Sequence, residues 1–421
     1  MIRFKKTVLK NGIRVVSELH SESRAASLGL WVSTGTRDEA PGDEGISHFL
    51  EHLVFKGTKT RSAYQIAKSL EQLGGDLNAY TTREYTCYHA LVLKDHWRKA
   101  LDVLSDLVSN MEMNRSDFQV EKSVILQEIV MGDDNLEEAI YDEYLSHCLP
   151  KHPLGRPILG TTPSIQKMTQ KQILRYYKER YSGNNLIVAA AGNIDHTELV
   201  EAVEKLLGQK PKRKLKFPRS KPKHRAFRRV IDKPVEQLHL LLGLPCASFK
   251  DRDRFEAFIV NALLGGGMTS KLYQSVREKK GLVYSIYSAL NTFDDFGILN
   301  IYAGCEKENM KQVIRTISSE LRRVRKNGVS EGELELFKTQ VAGSLLLGAD
   351  DIDNRMQSIG VNEMVFRKYK PVDDIIAEVN AVTRQSVNQY LKRTFDFDSI
   401  GAVLMGGGAN ELKDWFLQAK L

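Results

Sequence analysis

Apolar positions along this chain switch between a period of two and a period near 3.6, and the switches divide it into strands and helices. Residues 4–9 and 13–16 flank Asn11-Gly12 and read as a hairpin. Residues 26–34 continue as a strand, with Trp31 and Val32 directed to a core. A charged loop over 36–43 then leads into Gly45-Ile46-Ser47-His48-Phe49-Leu50-Glu51-His52-Leu53-Val54-Phe55-Lys56-Gly57, a short helix with glycine at each end. Ser62 can cap a second helix that runs to about Leu73 and stops at Gly74-Gly75. Residues 77–80 and 85–93 are two antiparallel strands, followed by helices at about 94–113, 116–131 and 135–149. A loop over 151–162 precedes a helix at 169–181, a continuous apolar strand at 186–191 and a helix at 196–207.

The pattern then breaks. Residues 210–229 carry basic runs interrupted by Pro211, Pro218 and Pro222, the composition of an extended, solvated linker. No aromatic stacking pattern or DNA-reading motif accompanies them, which argues against a nucleic-acid arm. Beyond the linker the order of the first half recurs. Strands at 226–232 and 238–243 lead to a helix at 253–264, a break at Gly265-Gly266-Gly267 and a helix from Thr269-Ser270 to Arg277. Strands at 283–290 and 298–303, helices through 307–393 and a last strand at 400–404 complete it. The expectation is a duplicated α+β fold: two similar halves, each a mostly antiparallel sheet packed with helices. Its divisions are 1–209, a linker over 210–227, and 228–421.

Composition changes this picture little. A chain of 421 residues exceeds one compact core. Hydrophobic and charged contents of 42% and 27% are those of an ordinary globular protein. No apolar run approaches the length of a membrane span, and residues 1–6 lead into neither a secretory h-region nor an Arg/Ser-rich transit helix. Cys87, Cys148, Cys246 and Cys305 are scattered and read as reduced. The compartment expected is the cytoplasm, or an organellar matrix had a leader been removed. Much of the net charge of +8 sits in the linker, so no nucleic-acid partner is expected.

The candidate chemistry lies in the first short helix. His48 and His52 are four apart, so their Cβ atoms stand about 5–6 Å from one another on one face, close enough to share a metal ion. Glu51 adjoins the second histidine and can hold a water on that metal. The order H-x-x-E-H is the reverse of the commoner zinc-protease motif. A buried amphipathic helix with satisfied histidines is the alternative, but two histidines and a glutamate in this order are rare in a chain with 10 histidines. Zinc held by two histidines needs one more protein ligand and an open position for water. The helix Glu121-Lys122-Ser123-Val124-Ile125-Leu126-Gln127-Glu128-Ile129 offers Glu121 and Glu128 on one face, two turns apart. The second half restores neither histidine, so only one half can carry the metal.

With these residues the chain resembles the pitrilysin-type metallopeptidases, which include insulin-degrading enzyme and the mitochondrial processing peptidase. The likeness rests on His48-x-x-Glu51-His52, Glu128 in its helix 76 residues on, Gly74-Gly75-Asp76-Leu77-Asn78-Ala79, and Arg277 with Tyr284 inside R-E-K-K-G-L-V-Y-S. It spans both halves. It implies a zinc endopeptidase with one Zn2+ per chain, ligated by His48, His52 and Glu128, with Glu51 as general base and Glu121 orienting a ligating histidine. Asn78 and Ala79 match the edge strand on which substrate adds as a further strand. Arg277 and Tyr284 match the pair that holds substrate and the oxyanion. The resemblance implies peptide substrates and two chains closing around a chamber. The glycine-rich loop of the non-catalytic processing-peptidase subunit is not matched, so the resemblance is to the catalytic kind, and one chain carrying both the zinc motif and the Arg/Tyr pair implies a homodimer. Glu138 and Asp142 sit at the offsets of residues that bind an arginine near the cut, although the same stretch also reads as a solvated helix face. Phe55 matches the lining of a pocket for an apolar or aromatic residue after the cut. The rival expectation is a catalytically silent structural subunit derived from the same family.

Overall fold

The computed structural model describes residues 3–213 and 219–421. The first half forms β1 (Arg3–Val8), β2 (Arg14–Leu19), β3 (Ala25–Val32), α1 (Ile46–Val54), α2 (Ala63–Glu71), β4 (Asp76–Thr81), β5 (Thr86–Leu93), α3 (Trp97–Asn110), α4 (Arg115–Asp134), α5 (Leu136–Cys148), α6 (Thr162–Lys167), α7 (Gln170–Arg180), β6 (Leu186–Gly192) and α8 (His196–Leu207). The second forms β7 (Phe227–Asp232), β8 (Leu238–Pro245), α9 (Arg254–Gly265), β9 (Ser285–Thr292), β10 (Gly297–Cys305), α10 (Lys307–Asn327), α11 (Glu331–Ala349), α12 (Ile352–Val365), α13 (Val372–Ala381), α14 (Arg384–Thr394), β11 (Gly401–Gly406) and α15 (Lys413–Gln418).

Two sheets carry the fold. The 6-stranded sheet runs β1-β2-β6-β3-β5-β4 and the 5-stranded sheet β7-β11-β8-β10-β9. Without β1, the first order maps onto the second strand for strand. The parallel pair recurs too: β2 beside β6 and β7 beside β11 are parallel, and the remaining pairs are antiparallel. The duplication read from the residue pattern is a duplication of topology.

The compact units exchange one helix each relative to a cut at the linker. One comprises Met1–Met131, Arg156–Arg219 and Leu347–Lys370, the other Gly132–Gly155, Ser220–Leu346 and Pro371–Leu421. The physical reason is that both sheets are apolar on both faces. In the first unit, Leu28 and Leu30 of β3 face the core beneath α1, α3, α7 and α8. Trp31, with Val16, Ile187 and Ala189, faces the other way, and α12 covers it with Met356 and Ile359. In the second unit, α5 covers Leu241, Ile298 and Val403 with Ile140, Tyr144 and Leu145. Both helices lie so close that glycine is required: a Cβ at Gly360 would enter the Trp31 ring, and one at Gly243 or Gly401 the Tyr144 ring.

Three elements differ from expectation, one of them α15, which follows the strand expected to end the chain. The helix expected from Thr269 to Arg277 is short and wound as a π-helical turn over Tyr273–Glu278. An additional helix, α6, interrupts the approach to α7, started by Thr161 accepting from the Ser164 amide with proline in its first turn. Of the expected linker, residues 214–218 lie outside the described residues.

Candidate metal centre

Helix α1 buries Ile46, Phe49, Leu50, Leu53 and Val54, an i, i+3, i+4, i+7, i+8 stripe. That leaves His48, Glu51 and His52 together on the partly exposed face. Helix α4 presents Phe118, Glu121, Ile125 and Glu128 along one side, and Phe118 stacks on Phe49 with ring centroids 5.2 Å apart. This apolar contact brings the two carboxylates of α4 opposite the two histidines.

The geometry is that of a donor cluster. The Nε2 atoms of His48 and His52 lie 3.9 and 3.5 Å from Oε2 of Glu128. One ligand atom from each residue lies within 4.8 Å of the others, the one such cluster found among the described residues. The Glu128 Oε2 is buried without a hydrogen-bond partner. Ligand bonds of about 2.0–2.2 Å at tetrahedral angles put donor atoms about 3.3–3.6 Å apart, close to the spacing seen. Three electron-pair donors converging with an orphaned carboxylate oxygen fit a small divalent cation of the zinc type. Burial, and then the neighbouring His52, push the His48 imidazole down to about 3, so it stays neutral and able to ligate near neutrality.

Supporting contacts surround the donors. Glu121 is buried, accepts from His52 Nδ1 at 3.0 Å and pairs with Lys56 at 2.6 Å. It therefore fixes the tautomer that presents Nε2 to the cluster. Glu51 accepts a short hydrogen bond from the Thr81 hydroxyl at the end of β4. Burial pushes the Glu51 carboxyl above its ordinary value, and the Thr81 bond opposes that shift. Neither Thr81 nor Lys56 was singled out in the sequence. Lys56 lies four residues past His52, in the turn just beyond α1, and could have been found by that spacing; Thr81 carried no signal.

Asn78 and Ala79 lie on β4, the last strand of its sheet, in register with His89 and Tyr88, and Asn78 accepts the Ala79 amide through its side chain. Phe55 ends α1 and packs toward Tyr88. Arg277 and Tyr284 belong to the second unit. Arg277 stands over the Tyr273 ring, and the exposed Tyr284 donates to Glu306 at 2.9 Å, a bond that raises its phenol pKa. Glu138 and Asp142, also in the second unit, line a cavity of about 620 Å³ with Asn135, Glu137, Tyr141 and Tyr287. Its Tyr287 hydroxyl donates to Glu137 at 2.9 Å. No helix among the described residues is long and apolar enough to cross a membrane.

Two sheet-and-helix units of like topology, the first carrying a two-histidine, one-carboxylate cluster, define a class, and comparison places the chain within it. Residues 14–162 match the family described as Insulinase (Peptidase family M16), and residues 167–341 match the Peptidase M16 inactive domain. An uncharacterized zinc protease of Mycobacterium leprae is 36% identical over 414 residues, covering 96% of this chain and 92% of that one. A Bacillus subtilis protein of the same description is 36% identical over 404 residues, with 96% and 98% covered. The crystal structure of a protease from Helicobacter pylori shares the fold with a TM-score of 0.90 at 22% identity, covering 96% of this chain and all 100% of that one. The chain belongs to peptidase family M16, the pitrilysin type. The donor cluster lies within residues 14–162, the stretch that matches the peptidase model, while the stretch that matches the one described as inactive runs from the end of the first half into the second.

Proposed function

We propose that the chain is a zinc-dependent endopeptidase acting on peptides or short unfolded segments. The observation that carries this is the convergence of His48, His52 and Glu128 around an unpartnered carboxylate oxygen, with Glu51 beside them. Zinc bound there supplies Lewis acidity toward the scissile carbonyl and toward an attacking water. Glu51 takes the proton of that water and returns it to the leaving amine. The unpaired side of β4 receives the peptide backbone as an added strand, which reads main chain more than side chain. Tyr284 and Arg277 stabilise the developing oxyanion, with a donor of this kind worth about 2.7–4 kcal/mol. One chain carrying both the H-x-x-E-H helix and the Arg/Tyr pair supports a homodimer in which each second half completes the partner's centre. A silent structural subunit is the weaker reading, because no donor and no base is missing here.

The test is elemental analysis with chelation. About one zinc per chain is expected, with peptide cleavage abolished by a chelator and restored by added zinc. Metal-free protein that cleaves unchanged in chelator sinks the reading. Glu121→Ala should weaken zinc binding about 10–100-fold in a competition assay, because His52 loses the partner that orients it. Specificity rests on the acidic cavity: we expect preference for basic, presequence-like peptides. Glu138→Ala combined with Asp142→Ala should remove the preference for arginine near the cut in a peptide-library profile, and an unchanged profile returns that patch to a solvated helix face.

A further inference from the structure

The loop before α1 is charged, yet Arg37, Asp38 and Glu39 are buried. Glu39 uses both carboxylate oxygens on the start of the metal-binding helix. Oε2 accepts the Gly45 amide and Oε1 the Ser47 amide, each at 2.9 Å, so the contact ends one residue before His48. Helix starts leave such amides without intrahelical partners, and an acceptor there both satisfies them and complements the helix dipole. Gly45 is left-handed, with φ of 90°, and a Cβ there would meet the Leu159 carbonyl and Gly160. No side chain at the cap residue itself can do this work, so an acceptor six positions upstream does it.

Three arginines, one ending α7 and two in loops, pin the segment that presents this acceptor. Arg156 donates to the Glu39 carbonyl and Arg180 to the Asp38 carbonyl, both at 3.0 Å. Arg219, at the described resumption of the basic linker, grips the Asp38 carboxylate with Nε and Nη2 at 2.9 and 2.7 Å. It also donates to the Glu84 carbonyl at 2.9 Å. The two-pronged guanidinium–carboxylate contact fixes direction as well as distance. An ordinary solvated linker needs no such anchor.

We infer that Glu39 is a positioning residue for the metal centre, setting the height and rotation of α1 and hence of His48 and His52, and that Arg219 extends this clamp to the linker. The inference rests on the zinc-peptidase reading and adds to it a buried device that holds the donors ready before metal arrives. Preorganised donors bind metal more tightly because less ordering remains to be done on binding.

The experiment measures zinc affinity of purified full-length chains by competition with a chromophoric chelator, with amide hydrogen exchange on the metal-free proteins. Glu39→Gln keeps the shape but sets an amide NH2 against a backbone N–H. It should weaken zinc binding 10-fold or more and speed exchange of the Gly45 and Ser47 amides, while β5 amides keep their protection. Zinc affinity within twofold of the parent overturns the inference, whatever the melting temperature does, because a merely structural contact would lower only the latter. Where Glu39→Gln does not fold, Arg219→Met, at a partly exposed position, should weaken zinc severalfold; unchanged affinity in that variant overturns it equally. A parent chain that binds no zinc sinks the peptidase reading itself, and the inference with it.

Discussion

Zinc-loaded Glu51→Gln should retain about one metal per chain and lose about 10²–10⁴-fold in kcat/KM toward a fluorogenic peptide. The carboxylate is not among the converging donors, so its loss leaves His48, His52 and Glu128 in place. What disappears is a base. The amide of glutamine cannot take a proton from the attacking water, although its oxygen can still accept from Thr81. Burial raises the Glu51 carboxyl, bringing it nearer the pH at which transfer in both directions is efficient, and the hydrogen bond from Thr81 draws it back. Thr81→Val removes the opposing influence. The acidic limb of the pH profile of kcat/KM should then move to higher pH, because a bond that favoured the ionised form has gone. A zinc-loaded Glu51→Gln protein near parental activity removes the base from the mechanism, and an unmoved acidic limb in Thr81→Val detaches that limb from Glu51.

How much of this was readable beforehand depends on how far each signal travels along the chain. Helix α1 was legible because two periodic stripes occupy nine residues, Ile46–Val54, one apolar and buried, one carrying His48, Glu51 and His52. The succession of strands and helices in the second half was legible as a repeat of the first, but the order of the strands within each sheet was not, because pairing joins residues far apart in the chain. Glu39 was not legible: a charged loop reads as solvated, and only the fold brings its carboxylate to the Gly45 and Ser47 amides. The exchanged helices were equally silent. The buried side of α12 carries Arg355, Gly360 and Glu363 beside Met356 and Ile359, so its apolar periodicity is too weak to announce a core-covering helix. Its charged members pair with residues more than three hundred positions away, Arg355 with Glu18, and Glu363 with Lys6 and Arg14.

Those distant partners make Arg355 the residue on which the docking of α12 should depend most. Its guanidinium meets Glu18 of β2 with Nε at 2.8 Å and Nη2 at 2.5 Å, and the Glu18 side chain is wholly buried. His20 and the Tyr369 hydroxyl complete the shell of that carboxylate at 2.8 and 3.1 Å. Burial alone would raise the Glu18 carboxyl, but the bonds from His20 and Arg355 outweigh it and hold the group at about 2, against an ordinary 4.5. Arg355→Met deletes one partner and leaves the other buried, a change that typically costs about 3–5 kcal/mol. For a unit of this size the melting temperature should fall by roughly 6–20 °C. The pH dependence carries the sign. In the parent, the folded value lies below the unfolded one, so the contribution of Glu18 is complete above about 4.5 and is lost as pH falls toward 2. In the variant, burial without the guanidinium opposes ionisation of Glu18, so acidification neutralises it and relieves that penalty above about 4.5, while the parent's contribution is lost below it. Denaturant unfolding of both proteins should show the gap largest at pH 7 and narrowing toward pH 3, and a constant gap below 1 kcal/mol assigns the docking to the apolar contacts of Met356 and Ile359 instead.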